Sequence, residues 1–416
     1  MISTTAIPID NEEIVATFSS LFKGADSAHD DVIQFERDLA AYLGSKNVFA
    51  SNTGRAALYA ALQALDLKRG DEVIVPAYTC AIVFEVILRL GLKPILVDAD
   101  LQTYNINPEL IPEVVSSKTK AIIPVHLFGR PCEMTRIMEI ANENSLYVIE
   151  DVAQALGAEH KKVKVGTFGD LAIFSFGPGK SMTSGEGGAL SVNNGELEEK
   201  VKAIEARWPN PDFGWTIQSL KNIVGMKVFS NPYLYTFIRH FLEQTLNVTD
   251  KKISENCLRL LREQDTINLN PTVLLTKMPR LSAEVARIQL RKLDELNQRR
   301  IMNAVNLTEL LNVVANLVQL PRTSHDGKNT FTRYPIRMLK GSRNEVIKRL
   351  IEGGVDAGKP YHYLGDLLKL LSGKAPGAIT LANSILTIPN HPLLKAPDIL
   401  KIADTFSNQL NVRISQ

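Results

Sequence analysis

Residues 146–193 read LYVIEDVAQALGAEHKKVKVGTFGDLAIFSFGPGKSMTSGEGGALSVN, and this stretch decides the fold class. Three short runs in it, LYVI, LAIFSF and GALSV, consist almost entirely of apolar residues. Such runs are typical of strands that are buried on both faces of a parallel or mixed sheet. Two carboxylates follow the first run, and a lysine lies in the glycine-rich loop between the other two.

The same pattern continues on the N-terminal side of this stretch. The apolar runs KNVFA, DEVIVPA, KPILVDA and KAIIPVH alternate with the helical patterns RAALYAALQAL, CAIVFEVILRL and EMTRIMEIANEN. Strands that alternate with helices in this way predict a large, doubly wound α/β domain. Ligands of such sheets bind at the carboxyl ends of the strands, so the residues after each run are the candidate site.

The alternation ends after Asn194, and the rest of the chain has a different organisation. A helix-rich region is predicted at about 208–275, followed by a long helix from Ser282, a strand TRYPIRML, a helix NEVIKRLIEGG and a C-terminal helix from Ala396. We therefore predict a large domain at 1–275, with a helical insertion at about 208–275, and a smaller α+β domain at 276–416.

Residues 222–242 are the most apolar and aromatic part of the chain, but charged residues and a proline interrupt them. This excludes a clean membrane span. Two interpretations stay open, a helix pair buried against protein and a helix on a membrane surface, and the buried pair is the one we favour. We therefore expect no membrane contact.

Composition excludes several classes of protein. The 416 residues include 47 Lys and Arg against 45 Asp and Glu, which gives no general attraction to nucleic acid. The cysteines, Cys80, Cys132 and Cys257, are scattered and form no zinc-like spacing with histidine, so neither a disulfide framework nor a metal is expected. The N-terminal residues lack the features of a secretory signal, and a cytoplasmic location is expected.

The turn ASNTGRAAL follows the first predicted strand and is a candidate phosphate site. Asn52 or Thr53 is expected to cap the next helix, whose first amides, at Gly54 and Arg55, point out of the strand end. A helix N-terminus with a glycine allows an anion to approach the backbone closely. The alternative is an ordinary capped helix without a ligand.

The strand end at Asp151 and the loop at Lys180 are two further candidates. A carboxylate at position 151 can pair with the protonated nitrogen of a pyridine ring, and Gln154 could reach the substituents of that ring. Lys180 lies between small residues, where its amine can be desolvated and held as an imine, and Ser175 offers a hydroxyl to an anion. The alternatives are a helix cap for Asp151 and a solvated surface charge for Lys180.

Together, a phosphate cradle, a strand-end acid and a loop lysine are the three contacts that pyridoxal 5'-phosphate (PLP) needs. The ordered motifs GRAAL, VPAYTC, PVHLFG, IEDVAQALGA, GTFGD and FSFGPGKSMTSGEGG resemble the DegT/DnrJ/EryC1/StrS family of PLP-dependent sugar aminotransferases. The resemblance covers residues 35–192, and SAEVARIQLRKLDELNQRR at 282–300 is similar to a helix of the same family. It implies PLP fold type I, with a mixed, seven-stranded type of sheet in the large domain.

The resemblance also implies roles for individual residues. Lys180 corresponds to the lysine that forms the internal aldimine, Asp151 to the partner of the ring nitrogen, and Gln154 to the ring-side contact. Ser175 and the amides of Gly54 and Arg55 correspond to the phosphate contacts. The activity implied is a transaminase that moves an amino group from glutamate to a nucleotide-linked keto sugar by a ping-pong mechanism. Members of the family are usually homodimers, and the expected context is nucleotide-sugar and polysaccharide biosynthesis.

Two other functions stay open at this point. A PLP-dependent sugar dehydratase is disfavoured because the relatives that dehydrate have histidine at the position of Lys180. A non-enzymatic, PLP-binding regulatory protein is disfavoured by the intact Lys180, Asp151 and Ser175. Transfer of an amino group from glutamate would separate these alternatives from a transaminase.

Several residues depart from the family pattern. Cys80 occupies the position of an aromatic residue that usually stacks on the ring, and Tyr78 or Phe84 is expected to compensate. Arg55 replaces a small hydroxyl residue and is expected either to strengthen the phosphate site or to bind an acidic substrate. Met278 stands where the family often has an asparagine that reaches the phosphate of the partner subunit.

Two further residues have open assignments. His126 is predicted to be a packed, hydrogen-bonded histidine rather than a proton carrier, because no acidic partner is evident in the sequence. Arg333 is predicted either to face a substrate carboxylate from the small domain or to be a surface charge on a strand.

Overall fold

A computed structural model of the protein describes residues 1–4, 6, 8–21, 27–229, 275–323, 326–361 and 375–410. The helices in this part of the chain are α1 Asn11–Leu21, α2 Ser27–Leu43, α3 Gly54–Ala64, α4 Ala81–Arg89, α5 Met134–Glu143, α6 Glu198–Glu205, α7 Phe213–Phe229, α8 Arg280–Leu311, α9 Arg343–Glu352, α10 Pro376–Ser384 and α11 Ala396–Gln409. The strands are β1 Asn47–Ser51, β2 Glu72–Pro76, β3 Lys93–Val97, β4 Thr119–Ile122, β5 Tyr147–Asp151, β6 Glu159–His160, β7 Val163–Lys164, β8 Leu171–Ser175, β9 Gly188–Val192, β10 Val318–Gln319, β11 Tyr334–Met338 and β12 Ile385–Ile388.

Seven of these strands form one sheet in the order β1-β9-β8-β5-β4-β2-β3. Strands β8, β5, β4, β2 and β3 are parallel to one another, whereas β9 runs antiparallel to both β8 and β1. The predicted mixed, seven-stranded, doubly wound sheet is confirmed. Each of the seven apolar runs quoted above is one of its strands, because strands buried on both faces carry no alternation of polar residues.

Helices cover both faces of the sheet. Ile149 of β5 packs in the core that contains α3 and α4, whereas its neighbour Val148 packs against Ile137 and Ile140 of α5. Full burial of such a side chain contributes about 1.5–3 kcal/mol. The two helical layers therefore fix the position of β5, whose carboxyl end carries Glu150 and Asp151.

A second core lies around the three-stranded antiparallel sheet β10-β11-β12. It includes the C-terminal half of α8 together with α9 and α11, while the N-terminal half of α8 packs against α1 and α2. The start of α11 at Ala396 agrees with the predicted start of the C-terminal helix. The predicted domain boundary at 275/276 stays a prediction.

Helix α7 forms the described part of the predicted helical insertion. Ile223 and Met226 pack on Ile9, Leu281 and Val285, so this helix lies against the body of the protein. The rest of the insertion, residues 230–274, lies outside the described residues, as does most of the apolar segment at 222–242. Within the described ranges, no helix is long and apolar enough to cross a bilayer.

Candidate active site

Motifs that lie far apart in the sequence meet at one edge of the large sheet. Strands β1, β5 and β8 point the same way, so Ser51, Asp151 and Ser175 end at this edge, and Gly188 of β9 is paired with both serines. The loop 176–187, which carries Lys180, connects β8 to β9 at the same edge. The parallel topology therefore brings the acid, the lysine and the glycine turn together.

The start of α3 and the end of β8 border one small space. Thr53 caps the helix, because its hydroxyl accepts a hydrogen bond from the amide of Ala56 at 3.1 Å. A Cβ atom at Gly54 would lie only 2.8 Å from Cβ and 3.3 Å from Oγ of Ser175. The first amides of α3 and the Ser175 hydroxyl are therefore neighbours, and the positive end of the helix favours an anion there.

Gly188 allows this close approach from the other side. A Cβ atom at Gly188 would lie 2.3 Å from the carbonyl carbon of Thr53 and 2.4 Å from the nitrogen of Gly54. Any larger residue would push the peptide that begins α3. No local pattern in the sequence singles out this glycine, because only the antiparallel pairing of β9 with β1 places it against the turn.

The guanidinium of Arg55 is directed toward α4. Its Nη2 lies 3.9 Å from Oε2 of the buried Glu85, whose other oxygen pairs with Arg89 at 2.8 Å. The Nε atom of Arg55 is buried and has no hydrogen-bond partner among the described residues. The side chain of Arg55 therefore lies against Glu85, and the role of its backbone amide at a phosphate stays a prediction.

The two carboxylates at the end of β5 have different surroundings. Glu150 is fully buried and accepts hydrogen bonds from the amides of Gly166, Phe168 and Gly169 at 2.8, 2.7 and 2.9 Å. Asp151 is 7% exposed and accepts a bond from the amide of Ala153 at 2.9 Å. Burial raises the pKa of Asp151 above its usual range, which makes a nearby cation favourable for the ionised carboxylate.

His126 lies next to Glu150 and has an acidic partner after all. Its Nε2 atom is 3.2 Å from Oε2 of Glu150, and its Nδ1 atom accepts a bond from the amide of Cys132 at 2.9 Å. Because Nδ1 accepts, the ring proton lies on Nε2 and is donated to Glu150. The packed, hydrogen-bonded histidine is confirmed, and the statement that it lacks an acidic partner is wrong, since the partner lies 24 residues away on the next strand.

Lys180 is half-buried in the loop between β8 and β9. Burial lowers the pKa of its amine below the usual value, Arg333 lowers it further, and Cys80 and Asp151 oppose this change. A lowered pKa increases the share of the neutral amine, which is the nucleophilic form. Arg300 fixes the loop by donating a hydrogen bond to the carbonyl oxygen of Ser181 at 2.7 Å.

Tyr361 is a residue of this site that the sequence analysis missed. Its ring packs edge-on against Tyr78 with centroids 5.3 Å apart and is stacked on Phe128 at 6.4 Å. The amide nitrogen of Gln154 donates a hydrogen bond to its hydroxyl, and Oε1 of Gln154 accepts one from the amide of Phe128 at 3.1 Å. Nothing local in the sequence signals this contact, because 207 residues separate Gln154 from Tyr361.

Cys80 is the first of the residues that depart from the family pattern. It precedes α4, and its thiol acts electrostatically on both Lys180 and Tyr361. Both aromatic residues expected to compensate for Cys80 are fully buried in the hydrophobic core, and Tyr78 also packs edge-on against Tyr361. Tyr361 is therefore an aromatic residue that interacts with Cys80 and contacts Tyr78.

The side chain of Met278 is buried and does not project from the surface. It is 1% exposed, belongs to the core around α2, and lies against the lysine loop at Gly187. Arg280, two residues later, donates a hydrogen bond to Oδ2 of Asp31 at 2.8 Å. The hydrophobic side chain thus packs within its own subunit.

These residues fit PLP. The space between Gly54 and Ser175 offers amides and a hydroxyl to a phosphate, Asp151 offers a carboxylate to a ring nitrogen, and Lys180 offers a desolvated amine to an aldehyde. Among the described residues no group of three or more His, Cys, Asp or Glu side chains could hold a metal ion.

Comparison with known proteins identifies relatives along nearly the whole chain. The sequence profile of the DegT/DnrJ/EryC1/StrS aminotransferase family matches residues 8–208 and 224–407. A GDP-perosamine synthase of Caulobacter vibrioides is 28% identical over 89% of this chain and 88% of its own length. An aminotransferase of Psychrobacter cryohalolentis, solved by X-ray crystallography, is 26% identical with a TM-score of 0.77 over 99% of both chains.

A third relative shows a higher identity over a shorter region. A protein of Methanocaldococcus jannaschii is 44% identical over 196 residues, so the match spans 47% of this chain and about half, 51%, of that protein.

Proposed function

Because the chain belongs to the DegT/DnrJ/EryC1/StrS aminotransferase family, whose cofactor is PLP, we propose that it moves an amino group from glutamate to a nucleotide-linked keto sugar. One observation supports this above the others: Lys180, Asp151 and the Gly54–Ser175 space lie at the same edge of the sheet. The GDP-perosamine synthase activity for which the Caulobacter relative is named supports a sugar nucleotide as acceptor.

PLP, when bound, supplies an aldehyde that takes up amines and a ring that withdraws electrons. The Asp151 carboxylate would hold positive charge on the ring nitrogen, and the first amides of α3 with Ser175 would hold the phosphate. The amine of Lys180 would anchor the cofactor and would accept and return a proton at Nζ.

Arg333 is the residue that we propose for the donor carboxylate. It lies just before β11, is half-buried, and acts electrostatically on both Lys180 and Tyr361. In the described ranges no carboxylate forms an ion pair with it, so its guanidinium is available to an acidic substrate.

We further propose that the enzyme is cytoplasmic and forms a homodimer. Size-exclusion chromatography with light scattering tests the homodimer, and a stable monomer would contradict it.

The first experiment uses the visible absorption of the PLP-loaded protein. We expect the band of the lysine-bound cofactor to be replaced by that of the amine form when glutamate is added. Lys180→Ala should lack the band, whereas Lys200→Ala, which removes an exposed lysine, should keep it. A band that does not respond to glutamate or to other amino donors would favour a regulatory protein.

A second measurement distinguishes the enzymatic alternatives. With 15N-labelled glutamate and a nucleotide keto sugar, a transaminase transfers the label to the sugar, while a dehydratase releases water and leaves the sugar without it. Initial rates should give parallel lines in double-reciprocal plots, because the donor product leaves before the acceptor binds. Intersecting lines would contradict this order.

A further inference from the structure

A cavity with about 350 Å³ of empty space, part of which opens to solvent, lies beside the lysine loop. We call it the back cavity. Its walls are the loop 179–183, Gln289 and Arg300 of α8, Asn390 and His391 after β12, Thr332 before β11, and residues of the N-terminal arm. None of Gly54, Asp151 or Ser175 lines it, so it is distinct from the proposed phosphate and ring contacts.

The walls of the back cavity are positively charged. Arg300 is 4% exposed, and its guanidinium donates to two neutral oxygens, Oδ1 of Asn297 at 2.8 Å and the carbonyl of Ser181 at 2.7 Å. Burial lowers the pKa of Arg300 to about 10. No Asp or Glu occurs among the described lining residues, and a buried cation such as Arg300 without a counter-charge is costly.

Nearby acids do not neutralise this charge directly. Glu13 lies behind Gln289, where it accepts hydrogen bonds from Gln289 at 2.7 Å and from Lys292 at 3.0 Å. Asp398 acts on His391 from a distance and only partly offsets the effect of Arg300 on that ring.

Several buried polar atoms of these walls lack partners. His391 is 8% exposed, and neither of its ring nitrogens makes a hydrogen bond of normal geometry with a described residue, although the backbone of Ser3 lies beside the ring. Oδ1 of Asn390 and Oε1 of Gln289 are likewise buried without a donor in the described part of the chain. Buried polar groups are normally satisfied, so an occupant that both donates and accepts hydrogen bonds fits these walls.

We propose that the back cavity binds a small inorganic oxyanion that carries a hydroxyl group, of the hydrogen phosphate class, between Arg300 and His391. Its charged oxygens accept hydrogen bonds from the guanidinium and from the imidazole N–H, and its O–H donates to an amide oxygen of Asn390 or Gln289. Chloride would neutralise the charge but has no donor for the amides. Water would satisfy the amides but leaves the charge uncompensated.

Occupation of the cavity would affect both the lysine loop and the N-terminal arm. The loop 179–183 forms one wall, so an anion there would contact the loop that carries Lys180. The arm covers another wall and is held by Thr4, whose hydroxyl donates to Asp356 at 2.8 Å, and by the carbonyl of Pro8, which accepts from Gln289 at 2.9 Å.

The proposal is tested by isothermal titration calorimetry of the PLP-saturated protein, because bound PLP prevents inorganic phosphate from entering the space between Gly54 and Ser175. Inorganic phosphate and chloride are titrated separately at equal ionic strength and neutral pH. We expect one phosphate per chain, and Arg300→Met and His391→Gln should each weaken its binding about ten-fold or more, as for a lost charged or buried hydrogen bond. Arg299→Met, which changes an exposed neighbour on α8, should bind phosphate normally.

The outcomes that overturn the proposal are distinct. Absence of saturable phosphate binding, or undiminished binding by a folded His391→Gln protein, shows that the cavity is not the site. Chloride binding as tight as that of phosphate removes the need for a hydroxyl group. Arg300 also holds the carbonyl of Ser181, so if the Arg300→Met protein does not fold, the result for His391→Gln decides. Circular dichroism verifies that the His391→Gln protein is folded. The test is independent of any response to glutamate.

Discussion

At the scale of single residues, Glu150 and Asp151 show how alternation along a strand separates two adjacent carboxylates. Glu150 faces the loop after β7 and receives three backbone N–H bonds and the imidazole of His126. Asp151 faces the candidate site and receives one, from Ala153. The first carboxylate therefore holds the structure, and the second is available to the cofactor.

This difference predicts that two matched substitutions affect different properties, one the catalytic rate and the other the stability. Asp151→Asn should lower kcat on the order of 10²- to 10³-fold, because the neutral amide no longer stabilises charge on the cofactor ring. Glu150→Gln should instead lower the free energy of unfolding by about 1–3 kcal/mol, because the amide NH2 group of glutamine cannot accept the backbone N–H bonds that the lost carboxylate oxygen accepts. Steady-state kinetics and denaturant titration of both variants check this, and a Glu150→Gln protein with normal stability but no activity would contradict it.

Arg333 carries a prediction about the donor. Arg333→Met should raise KM for glutamate about ten- to a hundred-fold, the usual cost of a lost charge-assisted hydrogen bond, with little change in KM for the keto sugar. Arg337→Met is a matched control on β11, because Arg337 donates to Gln319 at 3.0 Å rather than facing Lys180. An equal rise of both KM values in Arg333→Met would show that Arg333 does not read the donor.

At the scale of secondary structure, the antiparallel strand β9 is the element that completes the site. It lies between β8 and β1, so its first residue, Gly188, is opposite Ser175 on one side and Ser51 on the other. The same placement brings Gly188 against the Thr53–Gly54 peptide at the start of α3. One strand therefore positions both the lysine loop and the space between Gly54 and Ser175.

Gly188→Ala should separate these two elements. The added Cβ would overlap the Thr53–Gly54 peptide, so we expect about ten-fold or more weaker PLP binding and a loss of about 1–3 kcal/mol of stability from overpacking. Fluorescence titration with PLP and thermal unfolding measure the two effects. Gly195→Ala is the control, because a Cβ there meets nothing within 4 Å. Normal PLP affinity in Gly188→Ala would show that the turn tolerates displacement.

At the scale of the whole molecule, α8 connects the two cores. Its 32 residues extend about 48 Å at 1.5 Å per residue, from α1 and α2 to the small sheet. Hydrogen bonds add to this connection: Thr332 donates to the carbonyl of Gln154 at 2.6 Å and lies 3.1 Å from the hydroxyl of Ser181. Residues next to the small sheet therefore contact the strand end and the lysine loop directly.

The buried side chain of His391 is expected to make the stability of the folded protein depend on pH. Burial first, and Arg300 second, lower its pKa from 6.5 to about 4, while Asp398 and the backbone of Ser3 oppose the shift. As pH falls below 6.5, the unfolded chain takes up a proton that the folded protein refuses until about pH 4, so stability is lost across this window.

In phosphate-free buffer this loss should reach roughly 3 kcal/mol, since one pKa unit corresponds to about 1.4 kcal/mol. His391→Gln should lose less stability than the native protein between pH 6.5 and 4, as measured by denaturant midpoints. Parallel losses in both proteins would show that His391 titrates normally. Added phosphate should reduce the loss in the native protein, because an anion beside the ring favours its protonated form.

The sequence alone determined the strands of the large sheet and the start of α11 near Ala396, and it limited the cap of α3 to Asn52 or Thr53. The three contacts for PLP stay predictions. These features depend on short-range physics: apolar runs, helical periodicity and capping act within a few residues. The family motifs added the order of the site residues along the chain. They are local features as well, so one sequence was sufficient to find them.

Only the tertiary structure decided which distant residues meet. The contact of Gln154 with Tyr361, the pairing of His126 with Glu150, the approach of Gly188 to α3 and the charged walls of the back cavity all join separate segments. No local pattern encodes these contacts, because they follow from which strands are neighbours and from how α8 joins the two cores. The packing of the whole chain, rather than any motif, sets the environment of Lys180.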